Sequence, residues 1–359
     1  MIKTFDQYLI RLFLKKILNI SLVFLTLVFI LNVFEEIVFF QNSKVSFFFP
    51  FLITLLNAPA TLFEIFPFIF LISTQFFFLE LISKNELEVL KTNGLDNFRV
   101  IKILFLTSFI LGFVLLVFYY NFSSKLNFLY YELKNSHSND NKYLAVVTAN
   151  GLWIKDEIDN KIYITSANTI EQNFLKDVSI YEFDSKFDLI QIYKSKQVDV
   201  TSFEWLVINP VISKDNTSIK GDKNLKILSH FNLKKINSLF GNLSSLNIIE
   251  LRSLINDYKD LGYSTNEVSS QLYRLYSFPL FTSIITIFAS IIMFNIKRNK
   301  PLVFHIIVGI FLSVLIYYLY YLFNIMGVNG KIPLLAAVGL PLLMLTIINL
   351  IGLVRINEK

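Results

Sequence analysis

Residues 84–102, KNELEVLKTNGLDNFRVIK, form a short charged stretch between two long apolar ones, LFEIFPFIFLISTQFFFLEL at 62–81 and LFLTSFILGFVLLVFYY at 104–120. Each apolar flank is long enough to cross a hydrocarbon core of about 30 Å. The charged stretch is then a turn at one membrane surface, and it is longer than a turn needs, since about four residues suffice to join two helices. Glu86, Leu87, Leu90 and Lys91 fall at i, i+1, i+4 and i+5, and Gly94 follows as a stop. The spacing predicts a three-turn amphipathic helix within 84–97, lying on the membrane surface.

The rest of the composition agrees with a membrane protein. The 359 residues are 54% hydrophobic and 17% charged, with 38 Phe, against about 25% charged in an ordinary soluble domain. Six spans are expected, at about 14–38, 60–82, 101–121, 275–295, 302–324 and 332–354. Residues 47–79 are too long for one span and carry Pro50, Pro59 and Pro67. We therefore expect 47–58 to approach along the interface, with the span starting near Ala60 and kinked at Pro67.

Basic residues set the orientation. Lys3, Arg11, Lys15, Lys16, Lys84, Lys91, Arg99, Lys102, Lys297, Arg298, Lys300, Arg355 and Lys359 flank one side, whereas the opposite short loops carry only Lys44 and Lys331. Both termini are expected in the cytoplasm, and the polar block between spans three and four is expected outside, in the periplasm of a bacterium. The apolar run at Ile17 to Phe40 is too long for a cleaved signal peptide and lacks a small-residue cleavage site. The net charge of +6 follows from this flanking pattern and implies no nucleic-acid partner.

Within the outside block the period changes to two. YLAVVT at 143–148, GLWIKD at 151–156, KIYIT at 161–165, DVSIYEF at 177–183, DLIQIYK at 188–194, KQVDV at 196–200 and FEWLVI at 203–208 read as short strands between polar turns. Strands at this spacing predict an antiparallel sandwich or jelly roll. Residues 121–136 extend the third span as a helical stalk, and 244–262 carry helical apolar spacing that returns the chain to the membrane. The expected organisation is spans one to three in 1–121 with a surface helix at 84–97, a β-jelly-roll-like domain with helical stalks in 122–272, and spans four to six in 273–359.

Catalytic chemistry is sparse. The chain has no cysteine, which excludes disulfides, thiolate metal sites and cysteine nucleophiles. No G-x-x-x-x-G-K-[ST] phosphate loop occurs, so ATP is not hydrolysed here by that route. His137, His230 and His305 are scattered, outside any H-E-x-x-H pattern, and no G-x-S-x-G turn occurs. Neither a catalytic site, a metal nor a cofactor is expected.

Ionisable residues at membrane depth remain, and these are costly there. Glu35, Glu36, Glu64 and Arg274 share one level near the outer leaflet when counted along their helices. The plain reading is interfacial side chains reaching for water. The functional reading is a polar cavity open to the outer leaflet, with Arg274 facing an anionic head group and the acids pairing with it or sharing a divalent cation. At the other surface, Glu86 and Glu88 would present carboxylates to a basic groove on a soluble partner while Leu87 and Leu90 fill an apolar one. A helix fixed between two spans can carry that partner's motion into the membrane.

These motifs, in this order, give the whole chain a resemblance to the lipopolysaccharide-export permease subunits of the LptF/LptG (YjgP/YjgQ) family. Three spans, a β-rich insert and three spans match end to end. So do E-L-x-x-L-x-x-x-G from Glu86 to Gly94, YLIRLFLKK at 8–16, R-x-x-x-x-P from Arg274 to Pro279, and IPLLAAVGLP at 332–341. GLWIKD at 151–156, with IYI and SIYEFD after it, is more similar to the LptG branch. The resemblance implies a transport subunit without ATPase activity of its own. Its implied partners are a dimer of cytoplasmic ATPase subunits, a related LptF-like permease, and periplasmic LptC/LptA-like jelly-roll proteins; its implied cargo is lipopolysaccharide. It implies that Glu86 contacts the ATPase and that Arg274 lines the substrate cavity, and the acid at Glu35 matches as well. With the residues read above, the expected ATPase-coupling element is Glu86, Leu87, Glu88, Leu90 and Gly94, and the expected cavity residues are Glu35, Glu64 and Arg274. Asn32 and Ala60 stand where LptG-type chains carry basic residues, which thins the cavity's positive charge.

Two other classes fit the composition. A membrane-anchored receptor with a ligand-binding β domain would lack a stoichiometric ATPase. A secondary transporter would show inverted repeats and paired ionisable residues at the midplane, and the sequence has neither.

Overall fold

The computed structural model describes residues 4–41, 45–92, 94, 96–137, 152–158, 161–171, 173–214, 217–220, 224–233, 236, 242–260, 264–294 and 301–357. The strand expected at 143–148 lies outside them. The chain divides into a helical unit (Met1–Phe39, Phe48–Asn127, Asn266–Lys359) and a second unit (Phe40–Phe47, Phe128–Thr265) that holds the strands.

The helices run α1 Thr4–Phe39, α2 Phe49–Ser83, α3 Glu86–Thr92, α4 Asn97–Val114, a π-helical turn Leu115–Tyr119, α5 Tyr120–Ser136, α6 Ile248–Asp260, α7 Asn266–Phe294, α8 Leu302–Val328 and α9 Leu334–Asn357. Among the described residues six helical runs are long and apolar enough to cross a membrane: α1, α2, α4 continuing into α5, α7, α8 and α9.

The second span differs from expectation. It starts at Phe49 and continues to Ser83 through Pro59 and Pro67, with Pro50 in its first turn. Proline at a first-turn position removes only an N–H that has no helical partner. Inside an apolar segment the backbone has no water to turn to, so the helix persists through the interior prolines. At about 1.5 Å per residue it exceeds the hydrocarbon thickness, which tilt or protruding ends accommodate.

Within the helical unit α2 and α7 are the inner helices, and α1 and α8 are mostly exposed. Phe281, Ile284, Ile285, Phe288 and Ala289 of α7 pack with Leu71 and Ile72 of α2, Ile316 and Tyr320 of α8, and Leu342 and Leu345 of α9. Because lipid tails are as apolar as leucine, close backbone approach and polar contacts drive such packing. Ser108 of α4 and Thr286 of α7 share a 2.8 Å hydrogen bond, and the Asn349 Nδ2 of α9 donates to the Ile284 carbonyl at 2.9 Å. The outer faces of α1 (Leu18, Leu22, Phe34, Val38) and α8 (Val303, Ile307, Phe311, Val314) are apolar and exposed, as befits helices in lipid.

The strands are β1 Leu152–Ile158, β2 Lys161–Ala167, β3 Thr169–Glu171, β4 Phe174–Phe183, β5 Leu189–Asp199, β6 Glu204–Ile208, β7 Val211–Lys214, β8 Thr217–Lys220 and β9 Leu225–Leu228. They pair antiparallel in one jelly-roll-like sheet of order β1-β2-β4-β5-β6-β9, with β3 on β4 and β7 between β5 and β8. The register sets Ile154, Thr165, Ile180 and Tyr193 opposite one another across four strands, and all four are buried. Directly opposed residues share a face, so this row is core. Trp205 closes the core, its Nε1 donating to the Phe231 carbonyl at 2.6 Å.

Among the described residues no ladder joins β1 to β9, yet a buried side chain bridges the two ends. Asp156 of β1 accepts from the Ser229 hydroxyl and the His230 backbone N–H just past β9, and its other oxygen meets His230 Nδ1, each at 2.8 Å. In the same cross-strand row, joined to Asp156 through Tyr163, Glu182 is the buried acid of β4 and accepts from Lys161, Gln191 and Tyr193 at 2.7 to 2.8 Å. Burial pushes its carboxyl up, but those three hydrogen bonds together outweigh burial and hold it below the usual carboxylate range.

Candidate functional site

The connection from α2 to α4 carries the first set of candidate residues. Among the described residues of the expected 84–97 segment, α3 covers Glu86–Thr92 and Asn97 already belongs to α4, two turns of surface helix where three were expected. Its limits are conformational. Asn85 (φ +57) precedes α3 and Gly94 (φ +78) follows it, both left-handed positions that a right-handed helix cannot include. Asp96 then opens α4, its carbonyl accepting from the Arg99 and Val100 N–H groups. A seven-residue helix is too short to persist on its own, so its neighbours must hold it.

They hold it from α1. The Tyr8 hydroxyl donates to Glu86 Oε2 at 2.6 Å. Arg99, just inside α4, donates to both oxygens of Asp6 at 3.0 and 3.1 Å. One helical turn before the connection, Glu80 of α2 pairs with both Lys16 and Lys84, and the carboxylate beside it raises the Lys84 ammonium above its usual range. Leu9 and Phe13, fully buried, seat α1 on α2, with Phe13 edge-on to Phe77 at 5.8 Å.

Glu86 is therefore half-buried and engaged, Leu87 is half-buried, and Glu88 and Gly94 are exposed. Leu90 lies within α3, and its side chain is outside the described residues. Motif reading finds α3 but not Asp6, Tyr8 or Arg99. The only signal for them is the charge of Asp6 and Arg99 at opposite ends of a 93-residue separation, which no local period connects.

The second set lies among the membrane helices. Glu64 of α2 and Arg274 of α7 face each other electrostatically without forming a direct ion pair. Phe63 and Phe278 lie beside them on the same two helices and stack at 4.6 Å, which fixes the level at which α2 meets α7. Arg274 Cζ sits 5.7 Å from the centre of the Tyr320 ring on α8, and Tyr320 stacks on Phe281 at 4.9 Å. A guanidinium over an aromatic face keeps its planar donors free for a carboxylate or phosphate. Glu35 does not join this group: it is exposed and makes no hydrogen bond or ion pair among the described residues, whereas the adjacent Glu36 is buried. The sequence does not distinguish Tyr320 within IYYLYYLF at 316–323, where Tyr317, Tyr318 and Tyr321 are exposed and Tyr320 alone of the four turns inward. Among the described residues no group of three or more His, Asp or Glu side chains could hold a metal.

No curated protein sequence matches the chain. The family model described as "Lipopolysaccharide export system permease LptF/LptG" matches residues 7–355. That span takes in both sets of residues except Asp6, all six apolar helical runs but for a few terminal positions, and the inserted sheet. With six spanning helices, an open antiparallel β domain between the third and fourth, and a match across nearly its whole length, the chain belongs to the LptF/LptG family of lipopolysaccharide export permeases.

Proposed function

We propose that this chain is the non-hydrolytic transmembrane subunit of an ATP-driven exporter. In this reading it takes lipopolysaccharide from the outer leaflet of the inner membrane and passes it to a periplasmic bridge. Both termini and α3 are cytoplasmic, and residues 122–272 are periplasmic. A dimeric ATPase on separate chains grips α3 through Glu86, Leu87, Glu88 and Leu90, with Gly94 ending the helix. A related LptF-like permease pairs with this LptG-like one, and LptC/LptA-like jelly rolls receive the cargo. Arg274 faces the anionic head group with Glu64 beside it, and Glu35, exposed on α1, meets the cargo from its own helix.

The observation that carries the reading is α3 itself. A short helix tied to three other helices, with an exposed acid at Glu88, is a handle that a basic groove can hold and that cannot move without moving spans. The exporter is tested by purifying the chain from native membranes and identifying what comes with it. A stoichiometric ATPase and bound lipopolysaccharide are expected. Phospholipid alone would remove the substrate assignment, and Glu86→Arg co-purifying ATPase at wild-type yield and activity would remove the coupling role.

A further inference from the structure

We propose that the first turns of α1 are a positioning strut for α3, with Asp6 and Tyr8 the positioning residues, so that displacement of α3 is carried into α1 as well as into α2 and α4. This rests on the reading of α3 as the ATPase contact.

Covalently, α3 is joined to α2 and α4 through Asn85 and the Gly94 segment, and both positions have positive φ. Each such position interrupts the right-handed helix, so the backbone alone does not make α3 one rigid rod with α2 or α4. Side-chain contacts supply the missing connection. Tyr8 holds Glu86 at the start of α3, and Asp6 holds Arg99 just beyond its end. Positions 6 and 8 are about 200° apart around a helix, so α1 reaches the two ends of the connection from two of its sides. Lys16 adds a third tie, to Glu80.

The charge distribution makes the strut responsive. Glu86 Oε2 is occupied by Tyr8, while Glu88 is exposed. A basic partner that takes Glu88 can leave the strut intact, and one that competes for Glu86 pulls on Tyr8 and so on α1. Leu9 and Phe13, buried against α2 just after these ties, make the first turns of α1 a firm lever, so that such a pull is passed along the helix.

The test uses the complex of this chain with its ATPase, reconstituted with lipopolysaccharide. Asp6→Arg and Arg99→Asp singly should keep the ATPase bound at wild-type yield. Each should lower lipopolysaccharide-dependent stimulation of ATP hydrolysis by about fivefold or more, the low end of coupling between linked sites. The double exchange Asp6→Arg/Arg99→Asp should restore it, Asp6→Glu should retain it, and Tyr8→Phe should lower it without loss of ATPase. Full stimulation in either single reversal, or failure of the exchange to rescue, overturns the strut. If no ATPase accompanies even the wild-type chain, it is the docking reading that falls. The strut is then judged on the chain alone, which has no natural cysteine. Cysteines at 6 and 99 should be joined in membranes by a short bis-maleimide, and absence of that cross-link overturns it.

Discussion

Gly112 of α4 lies directly against the backbone of Pro279 in α7: a Cβ at 112 would fall 2.9 Å from Pro279 Cα and 2.7 Å from Thr282 Oγ1. Backbone cannot move aside as a side-chain tip can. Gly112→Ala should therefore force α4 off α7 and cost about 1–3 kcal/mol, the usual range for overpacking a close contact. Gly339, in α9, has nothing within 4 Å of an added Cβ, so Gly339→Ala should be neutral or stabilise by up to about 1 kcal/mol through helix propensity. Thermal unfolding of the detergent-solubilised chain measures both.

Gly94 is strained for any other residue by conformation, since an added Cβ meets nothing but φ is +78°. Gly94→Ala should cost about 1–2 kcal/mol at this turn, and Gly94→Asn less, because asparagine tolerates the left-handed region. The cost should appear as lost ATPase co-purification with little change in the unfolding midpoint of the whole chain. Equal losses for Ala and Asn would mean that the glycine matters for something other than its backbone.

Acid should loosen the β domain through Glu182. Its folded pKa lies below the ordinary carboxylate value, so the unfolded state binds more protons in acid and stability rises with pH across that window. The contribution is complete above about pH 4.3, the unperturbed glutamate value, and is lost as pH falls through the folded pKa. Amide exchange in β4 and β5 should speed up on acidification, and Glu182→Gln should flatten that dependence. Tyr193, which donates to Glu182, is pushed up by burial and by the carboxylate, so its contribution is complete below about pH 10, the unperturbed tyrosine value, and is lost in stronger alkali, where the unfolded chain gives up its proton first.

Arg274→Ala should reduce bound lipopolysaccharide by at least about tenfold, the equivalent of about 1.4 kcal/mol, because a charge-assisted pair with phosphate exceeds that value. Tyr320→Leu, which removes the ring beneath the guanidinium, should give a smaller loss. Glu64→Gln should strengthen binding by removing a competing anion. Lipid extraction from the purified complex reads all three, and unchanged binding in Arg274→Ala would take the head group elsewhere.

Much of this was legible in the chain. Apolar run length dictates spanning helices, because unpaired backbone in hydrocarbon is too costly to allow another fold. Period-two stretches dictate the strands from GLWIKD to FEWLVI, since alternate residues must share a face. Both signals are local, and so is the amphipathic spacing that reveals α3. The continuation of α2 through Pro59 back to Phe49 was not legible, since proline is read as a breaker and only the apolar surroundings remove its alternative.

By itself, then, the sequence determined which segments cross the membrane, where the sheet is inserted, and that a charged helix joins α2 to α4. Tertiary structure decided the partners: Asp6 with Arg99, Tyr8 with Glu86, Arg274 over Tyr320, and Asp156 across the open ends of the sheet. Propensity and periodicity act over a few residues, whereas each of these contacts closes a loop of 46 or more. Packing of whole helices and strands brings such groups together, and no short-range pattern records it.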